Sequence, residues 1–222
     1  MSDEFTISSL IKFLYIQRVK GFDVPTQPHF DPISVKFFID KLKSCNQYLE
    51  YGTGGSTFLA AKLGKDFIAV DSDRYFLQAV KKKIESSGYA CKGTQVLRHA
   101  DIGLTKEWGQ PLFQQRIKSR LKKWATYSDF PIRGINSFLP DLILIDGRFR
   151  VACALKTIKY LQNKINYTIL VDDYVGRNQY KEIERFANLV KLEGRMAVFT
   201  QKDEINLIDL DCSIEKYTTD FR

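Results

Sequence analysis

The chain predicts a doubly wound α/β sheet, mostly parallel and ending in a C-terminal antiparallel hairpin. Three observations carry that expectation. Short apolar runs recur at residues 45–49, 67–71, 94–99, 142–146 and 168–171, with helical patterns between them, and alternating strands and helices imply right-handed parallel crossovers. The runs end at or beside acids: Glu50, Asp71, Asp101, Asp146, Asp172 and Asp173. The first run also meets a glycine-rich turn, Gly52-Thr53-Gly54-Gly55-Ser56-Thr57, that opens a helix.

That turn is built for close approach. Glycine lets the backbone near a ligand and tolerates positive φ, and a helix start offers free N–H groups and a positive dipole end. The pattern is not G-x-G-x-x-G, because Thr57 stands where the third glycine belongs. About twenty residues on, Asp71, followed by Ser72, ends the second run, where an acid suits a pair of ribose hydroxyls. Acids at strand ends also cap helices, but six acids over five strand ends exceed what capping requires.

The remaining elements follow in order. Residues 5–19 predict a helix with Ile7, Leu10, Ile11, Leu14 and Tyr15 on one face. Asp31-Pro32 predicts an N-cap and first-turn proline for a helix to about Lys43. Residues 74–86 form the next helical pattern. Residues 101–140 break the rhythm as an insertion near the substrate, and such long connections are commonly functional. The continuous run 142–145 predicts a strand buried on both faces. The helix after it turns Ala152, Leu155, Ile158 and Leu161 inward. A helix near 180–190 and a hairpin of 196–200 with 205–210 complete the chain.

At 222 residues the chain predicts one domain, 1–222, with 1–44 as an N-terminal helical lid segment. No apolar run reaches the roughly 18–20 residues a membrane helix needs, and Met1-Ser2-Asp3-Glu4 is not a basic leader start. Cys45, Cys91, Cys153 and Cys212 form no CxxC pair, so buried thiols in a reducing, cytoplasmic setting are expected. The net charge of +8 permits a polyanion partner without requiring one. Much of the excess lies at Arg116, Lys118, Arg120, Lys122 and Lys123, a pattern that reads first as a solvated helix face.

From about Asn46 to Leu210 these motifs resemble the class I S-adenosylmethionine-dependent methyltransferases, whose sheet is Rossmann-like. The resemblance implies that Glu50, Gly52, Thr53, Gly54, Ser56 and Thr57 meet the methionine part of the cofactor. It places Asp71 and Ser72 at the ribose, and Asp101 and Ile102 at the adenine. Ile145-Asp146-Gly147 followed by Ile169-Leu170-Val171-Asp172-Asp173-Tyr174 resembles the macrocin-type sugar O-methyltransferases and shares a geometry with the catechol-type enzymes. That likeness implies one Mg²⁺ on Asp146, Asp172 and Asp173, with Asp146 also beside the cofactor. Hard oxygen ligands suit Mg²⁺, which can fix two vicinal substrate oxygens. The segments Asp101-Ile102-Gly103, Trp108-Gly109-Gln110-Pro111 and Asp146-Gly147-Arg148-Phe149-Arg150 also resemble an uncharacterised methyltransferase-like group.

Arg148 stands where the sugar enzymes usually carry an acid, and Phe149 where catechol-type enzymes carry a lysine, so the family's general base does not carry over. Three readings of Arg148 and Arg150 stay open: side chains reaching solvent, Arg148 paired with Asp146 or Asp172 in place of a metal, or both holding a substrate phosphate or carboxylate. Catalytic candidates are Asp146, Arg148 and His29, the last from the loop before the first core helix. His99 reads as structural. The expected partner is a small hydroxylated or anionic substrate. The function expected is methyl transfer to a hydroxyl of a small acceptor, a sugar or glycoconjugate. The alternatives are methyl transfer to RNA or another polyanion, nucleic acid being the less favoured partner, and a non-catalytic cofactor-binding relative. No membrane partner is expected, and a homodimer is compatible with the sequence.

Overall fold

A computed structural model describes residues 7–90, 93–129 and 138–222 of the protein. Seven strands form one sheet in the order β3-β2-β1-β4-β5-β7-β6. They are β1 (Gln47–Tyr51), β2 (Asp66–Asp71), β3 (Gln95–His99), β4 (Leu142–Ile145), β5 (Thr168–Val171), β6 (Ala187–Glu193) and β7 (Met196–Gln201). The first five pair parallel, and β7 runs antiparallel between β5 and β6. The strand order reverses at β1 and β4, where ligands of open α/β sheets bind.

Side-chain alternation divides the core into two layers. Tyr48, Leu142, Leu144, Leu170 and Val198 face α2 (Pro32–Ser44), α3 (Gly55–Lys62) and α4 (Arg74–Ser86), meeting Phe38, Leu42, Phe58, Val80 and Ile84. Leu49, Tyr51, Ile143, Ile145, Ile169 and Val171 face the other way, toward Ala152, Leu155, Ile158 and Leu161 of α6 (Arg150–Leu161). All four of those α6 residues are buried, as the periodicity predicts. The cap on α2 also forms as expected: Asp31 Oδ1 accepts from the Ile33 and Ser34 amides at 3.1 Å each.

Three expectations are corrected. The N-terminal helix, α1 (Ile7–Tyr15), continues as a π-helical turn to Lys20, but it does not bury the predicted face. Ile11 and Tyr15 are exposed, whereas Phe13 and Gln17 are buried. Gln17 Nε2 donates to Asp73 Oδ2 at 2.7 Å and the Phe13 ring packs against Phe22, so this face turns inward. The helix expected near 180–190 is a 3₁₀ segment, Asn178–Arg185, after which β6 begins. The terminal hairpin lies one element earlier than predicted, turning at Gly194-Arg195 between β6 and β7. Gly194 has φ +60°, which suits a two-residue hairpin turn. Residues expected as its second strand belong to α7 (Leu207–Tyr217), started by Asn206 Oδ1 accepting from the Ile208 and Asp209 amides.

Within 101–140, a 3₁₀ turn spans Glu107–Gly109 and α5 covers Lys118–Ala125, burying Trp124 and exposing its lysines. Part of the predicted insertion lies outside the described residues. Cys45 and Cys153 are buried and Cys212 is exposed, and Cys91 lies outside the described residues. Among the described residues no helix is long and apolar enough to cross a membrane.

Candidate functional site

The carboxyl ends of β1, β2, β4 and β5 converge on one region. Strand β1 carries Glu50 inside it rather than after it, and alternation turns that side chain toward α3. Glu50 is fully buried; Ser56 Oγ donates to its Oε1 and Thr57 Oγ1 to its Oε2, the latter at 2.7 Å. The Gly54 amide in turn donates to Thr57 Oγ1 at 3.0 Å. Burial pushes the Glu50 carboxyl up to about 8, against the opposing pull of the two hydroxyls. Glu50, Ser56 and Thr57 therefore meet one another, and together they fix the turn they lie beneath.

The turn itself has two kinds of glycine. Gly52 has φ +97°, and a Cβ there would lie 2.6 Å from the Gly147 nitrogen. The turns after β1 and β4 thus touch backbone to backbone. Gly54 is extended, and a Cβ there would enter open space. The Thr53 amide and hydroxyl both donate to Asp71 Oδ2 at 2.8 Å, and the Asp73 amide donates to Asp71 Oδ1 at 2.8 Å. The carboxylate ending β2 is thereby drawn against the glycine turn. Burial raises the Asp71 pKa and these donors oppose the rise.

The predicted adenine pair divides. Ile102 is in the core, while Asp101 is exposed and accepts from Lys123 Nζ at 2.8 Å. Ser72 Oγ donates to the Gly109 carbonyl at 3.2 Å, which brings the tip of the insertion onto the end of β2. Trp108 at that tip is exposed, with φ +61°, and its ring lies 6.2 Å from the His29 ring. The His29 ring is exposed, and His29 holds its place through its carbonyl, which accepts from Arg195 Nη2 at 3.0 Å. His99 Nε2 contacts the Ser72 carbonyl at 3.1 Å.

The three aspartates at the ends of β4 and β5 do come together, but arginines fill the space between them. Arg150, itself buried, donates through Nη2 to Asp146 Oδ1 at 3.1 Å and to the Asp146 carbonyl at 2.8 Å. Its Nε reaches the Gly147 carbonyl at 2.9 Å, and its Nη1 reaches the Asp172 carbonyl. Asp173 pairs with Arg195 Nε at 2.9 Å and with Arg177 Nη2 at 3.2 Å. Asp172 Oδ2 faces Arg195 Nη2 at 3.4 Å, while its buried Oδ1 has no partner. A divalent cation needs carboxylate oxygens facing a common open point. Here three guanidinium groups hold those oxygens, and among the described residues no group of three metal-ligating side chains converges. The residues do not fit the expected Mg²⁺.

Of the three readings left open, the one pairing an arginine with Asp146 is met by Arg150 rather than Arg148. Sequence reasoning missed Arg195 and Arg177 altogether. Arg150 and Arg177 each stand four residues after the aspartate they pair with, a spacing that could have revealed both. Asp146 is half-buried, and burial pushes its carboxyl up to about 7 although Arg150 pulls the other way. A carboxylate in that range can take a proton near neutral pH.

A cavity of about 460 Å³ lined by Ser44, Asp141, Asn166 and Thr200 opens at the opposite ends of the strands, away from this chemistry.

No protein-family model and no curated protein sequence matches the chain. Among solved structures, it is similar to a methyltransferase-like protein from Silicibacter pomeroyi, with 29% identity and a TM-score of 0.75 over 88% of this chain and 100% of that one. More distant are a methyltransferase from Geobacter sulfurreducens (11% identity, TM-score 0.47, covering 89% of each chain) and an O-methyltransferase from Bacillus cereus in complex with SAH (15%, 0.47, 90% and 91%). The architecture is that of the Rossmann-like methyltransferases.

Proposed function

We propose that the protein binds S-adenosylmethionine and transfers its methyl group to a hydroxyl of a small acceptor, a sugar or glycoconjugate. One observation carries the cofactor part: the Asp71 carboxylate and the glycine turn are joined through Thr53, beside the open space at Gly54. That arrangement offers a carboxylate to ribose hydroxyls and a backbone cradle to the methionine part. The similarity to the Silicibacter pomeroyi protein supports the same reading.

When bound, S-adenosylmethionine supplies an activated methyl group. The chain's own residues would orient the acceptor and move its proton. Asp146, the neighbour in sequence of Gly147, whose backbone touches Gly52, would accept the proton of an acceptor hydroxyl. His29, at the rim, is the second candidate base. The sugar class of acceptor rests on the macrocin-type resemblance. In the basic segment 116–123, Arg116 binds Thr219 ahead of α5, and on the helix Arg120 binds Gln115 and Lys123 binds Asp101. These local engagements favour a small acceptor over nucleic acid.

The arginine-filled acid cluster favours one second reading, a cofactor-binding relative without turnover. Calorimetry with S-adenosylmethionine and S-adenosylhomocysteine tests the cofactor reading. Micromolar binding is expected, weakened at least tenfold in Asp71→Asn with the fold intact. A folded wild-type protein that binds neither compound would overturn it. Binding without methyl transfer to any sugar or sugar phosphate would select the second reading.

A further inference from the structure

Four arginines gather at the carboxyl ends of β4 and β5, and three have carboxylate partners: Arg150 on Asp146, Arg177 on Asp173, and Arg195 on Asp172 and Asp173. Arg148 has none among the described residues. It sits in the turn between β4 and α6, where its amide donates to Tyr127 Oη at 3.3 Å. Its Nε is buried without a hydrogen-bond partner. Arg150 and Arg177 are close enough to act on its charge, as are the Tyr127 and Tyr180 phenols. Three aspartates against four arginines leave the cluster one positive charge in excess.

An unpaired, half-buried guanidinium beside two others is unfavourable in the protein alone, because burial penalises the charge and its like-charged neighbours add to that. The α6 helix start adds further positive potential at the same place. A bound oxyanion reverses each of these terms. It supplies the missing charge and binds the terminal guanidinium nitrogens of Arg148, which are not among its buried atoms, in the fork geometry that arginine presents to carboxylates and phosphates.

We propose that Arg148 is the anion-binding residue of the acceptor site, holding a carboxylate or phosphate group on a small substrate beside Asp146. The proposal rests on the methyl-transfer reading for the word acceptor, but the anion site itself does not. A substrate so held would present a hydroxyl near the Asp146 carboxylate while its charged end engaged Arg148. Selectivity then favours sugar phosphates or sugar acids over neutral sugars.

The test is thermal unfolding of the full chain with inorganic phosphate, acetate or glucose 6-phosphate, against sodium chloride at equal ionic strength. Phosphate and the sugar phosphate should raise the wild-type midpoint above the chloride control. Arg148→Gln should abolish that rise, and Arg148→Lys should restore part of it. Without anion, Arg148→Gln should melt at or above the wild-type temperature, since a strained charge is removed. Affinity for S-adenosylhomocysteine should stay within about twofold in Arg148→Gln, so loss of the anion effect and failure of the cofactor reading register separately. An equal anion effect in wild type and Arg148→Gln would overturn the proposal, as would no effect in wild type. So would a large drop in the midpoint of Arg148→Gln and Arg148→Lys alike, which would make the residue structural. A response to short single-stranded RNA alone would overturn the small-acceptor class.

Discussion

Arg150 Nη2 lies 3.1 Å from Asp146 Oδ1, in the place where the sequence suggested a metal ion. The same guanidinium reaches the Asp172 carbonyl and sits 3.8 Å from Asp173 Oδ2. One buried cation therefore ties the ends of β4 and β5 together without any metal.

Divalent cations should accordingly be dispensable. Millimolar MgCl₂ or EDTA is expected to leave both the thermal midpoint and S-adenosylhomocysteine affinity unchanged. A midpoint that rises by several degrees when Mg²⁺ is returned to chelator-treated protein would contradict the arginine clasp. Removing the clasp itself should be severe: Arg150→Ala takes a buried donor from the half-buried Asp146 carboxyl and from three backbone carbonyls, and should cost about 3–5 kcal/mol in denaturant unfolding.

The two glycines of the first turn should separate folding from binding. Gly52→Ala combines a positive φ with a clash against the Gly147 backbone, so a loss of about 2–4 kcal/mol is expected. Gly54→Ala enters open space on extended backbone and should stay within about 0.5 kcal/mol of wild type. Its S-adenosylhomocysteine affinity should nevertheless fall tenfold or more. Equal stabilities for the two variants, or unimpaired cofactor binding by Gly54→Ala, would refute this division.

The centre of the sheet was legible because β4 and β5 are nearly continuous apolar runs. Residues 142–145 and 168–171 admit only burial on both faces, and the structure buries nearly all of them. Gln17 shows where legibility ended: the buried face of α1 is defined by its hydrogen bond to Asp73, 56 residues away, and by Phe13 packed on Phe22, contacts that periodicity alone does not reveal. The shifted hairpin has a similar cause. Strand β6 is exposed along most of its length, so no alternation announced it, and only Gly194 marked its turn. Within the site, the acids were visible one by one. Of their arginine partners, Arg150 and Arg177 carried an i, i+4 spacing as a signal, whereas Arg195 carried none, because it comes from a hairpin whose position depends on the sheet order.

Arg195 joins three segments, and its loss should be recoverable in part. Arg195→Ala frees Asp172 Oδ2 in a residue whose side chain is only 2% exposed, with Oδ1 already unpartnered. A destabilisation of about 1–3 kcal/mol is expected. Adding Asp172→Asn removes the uncompensated charge, so the double variant should be more stable than Arg195→Ala alone. A double variant whose cost equals the sum of the two single costs would show that the residues do not interact.

Glu50 gives the clearest pH dependence. Its folded carboxyl titrates near 8 against an ordinary 4.5, so between those values the folded chain holds a proton that the unfolded chain has released. Stability from this group is complete below about pH 4.5 and is lost as pH rises toward 8. Each pH unit in that window should cost wild type up to about 1.4 kcal/mol relative to Glu50→Gln, whose amide cannot ionise. The carboxyls of Asp71 and Asp146 are raised too, but both proteins carry them, so they largely cancel in the comparison. Denaturant unfolding of both proteins from pH 5 to 9 checks this. The difference should move steadily in favour of Glu50→Gln as pH rises, then level off above 8. A pH-independent difference would mean that Glu50 ionises freely in the fold, and that Ser56 and Thr57 hold a carboxylate rather than a neutral acid.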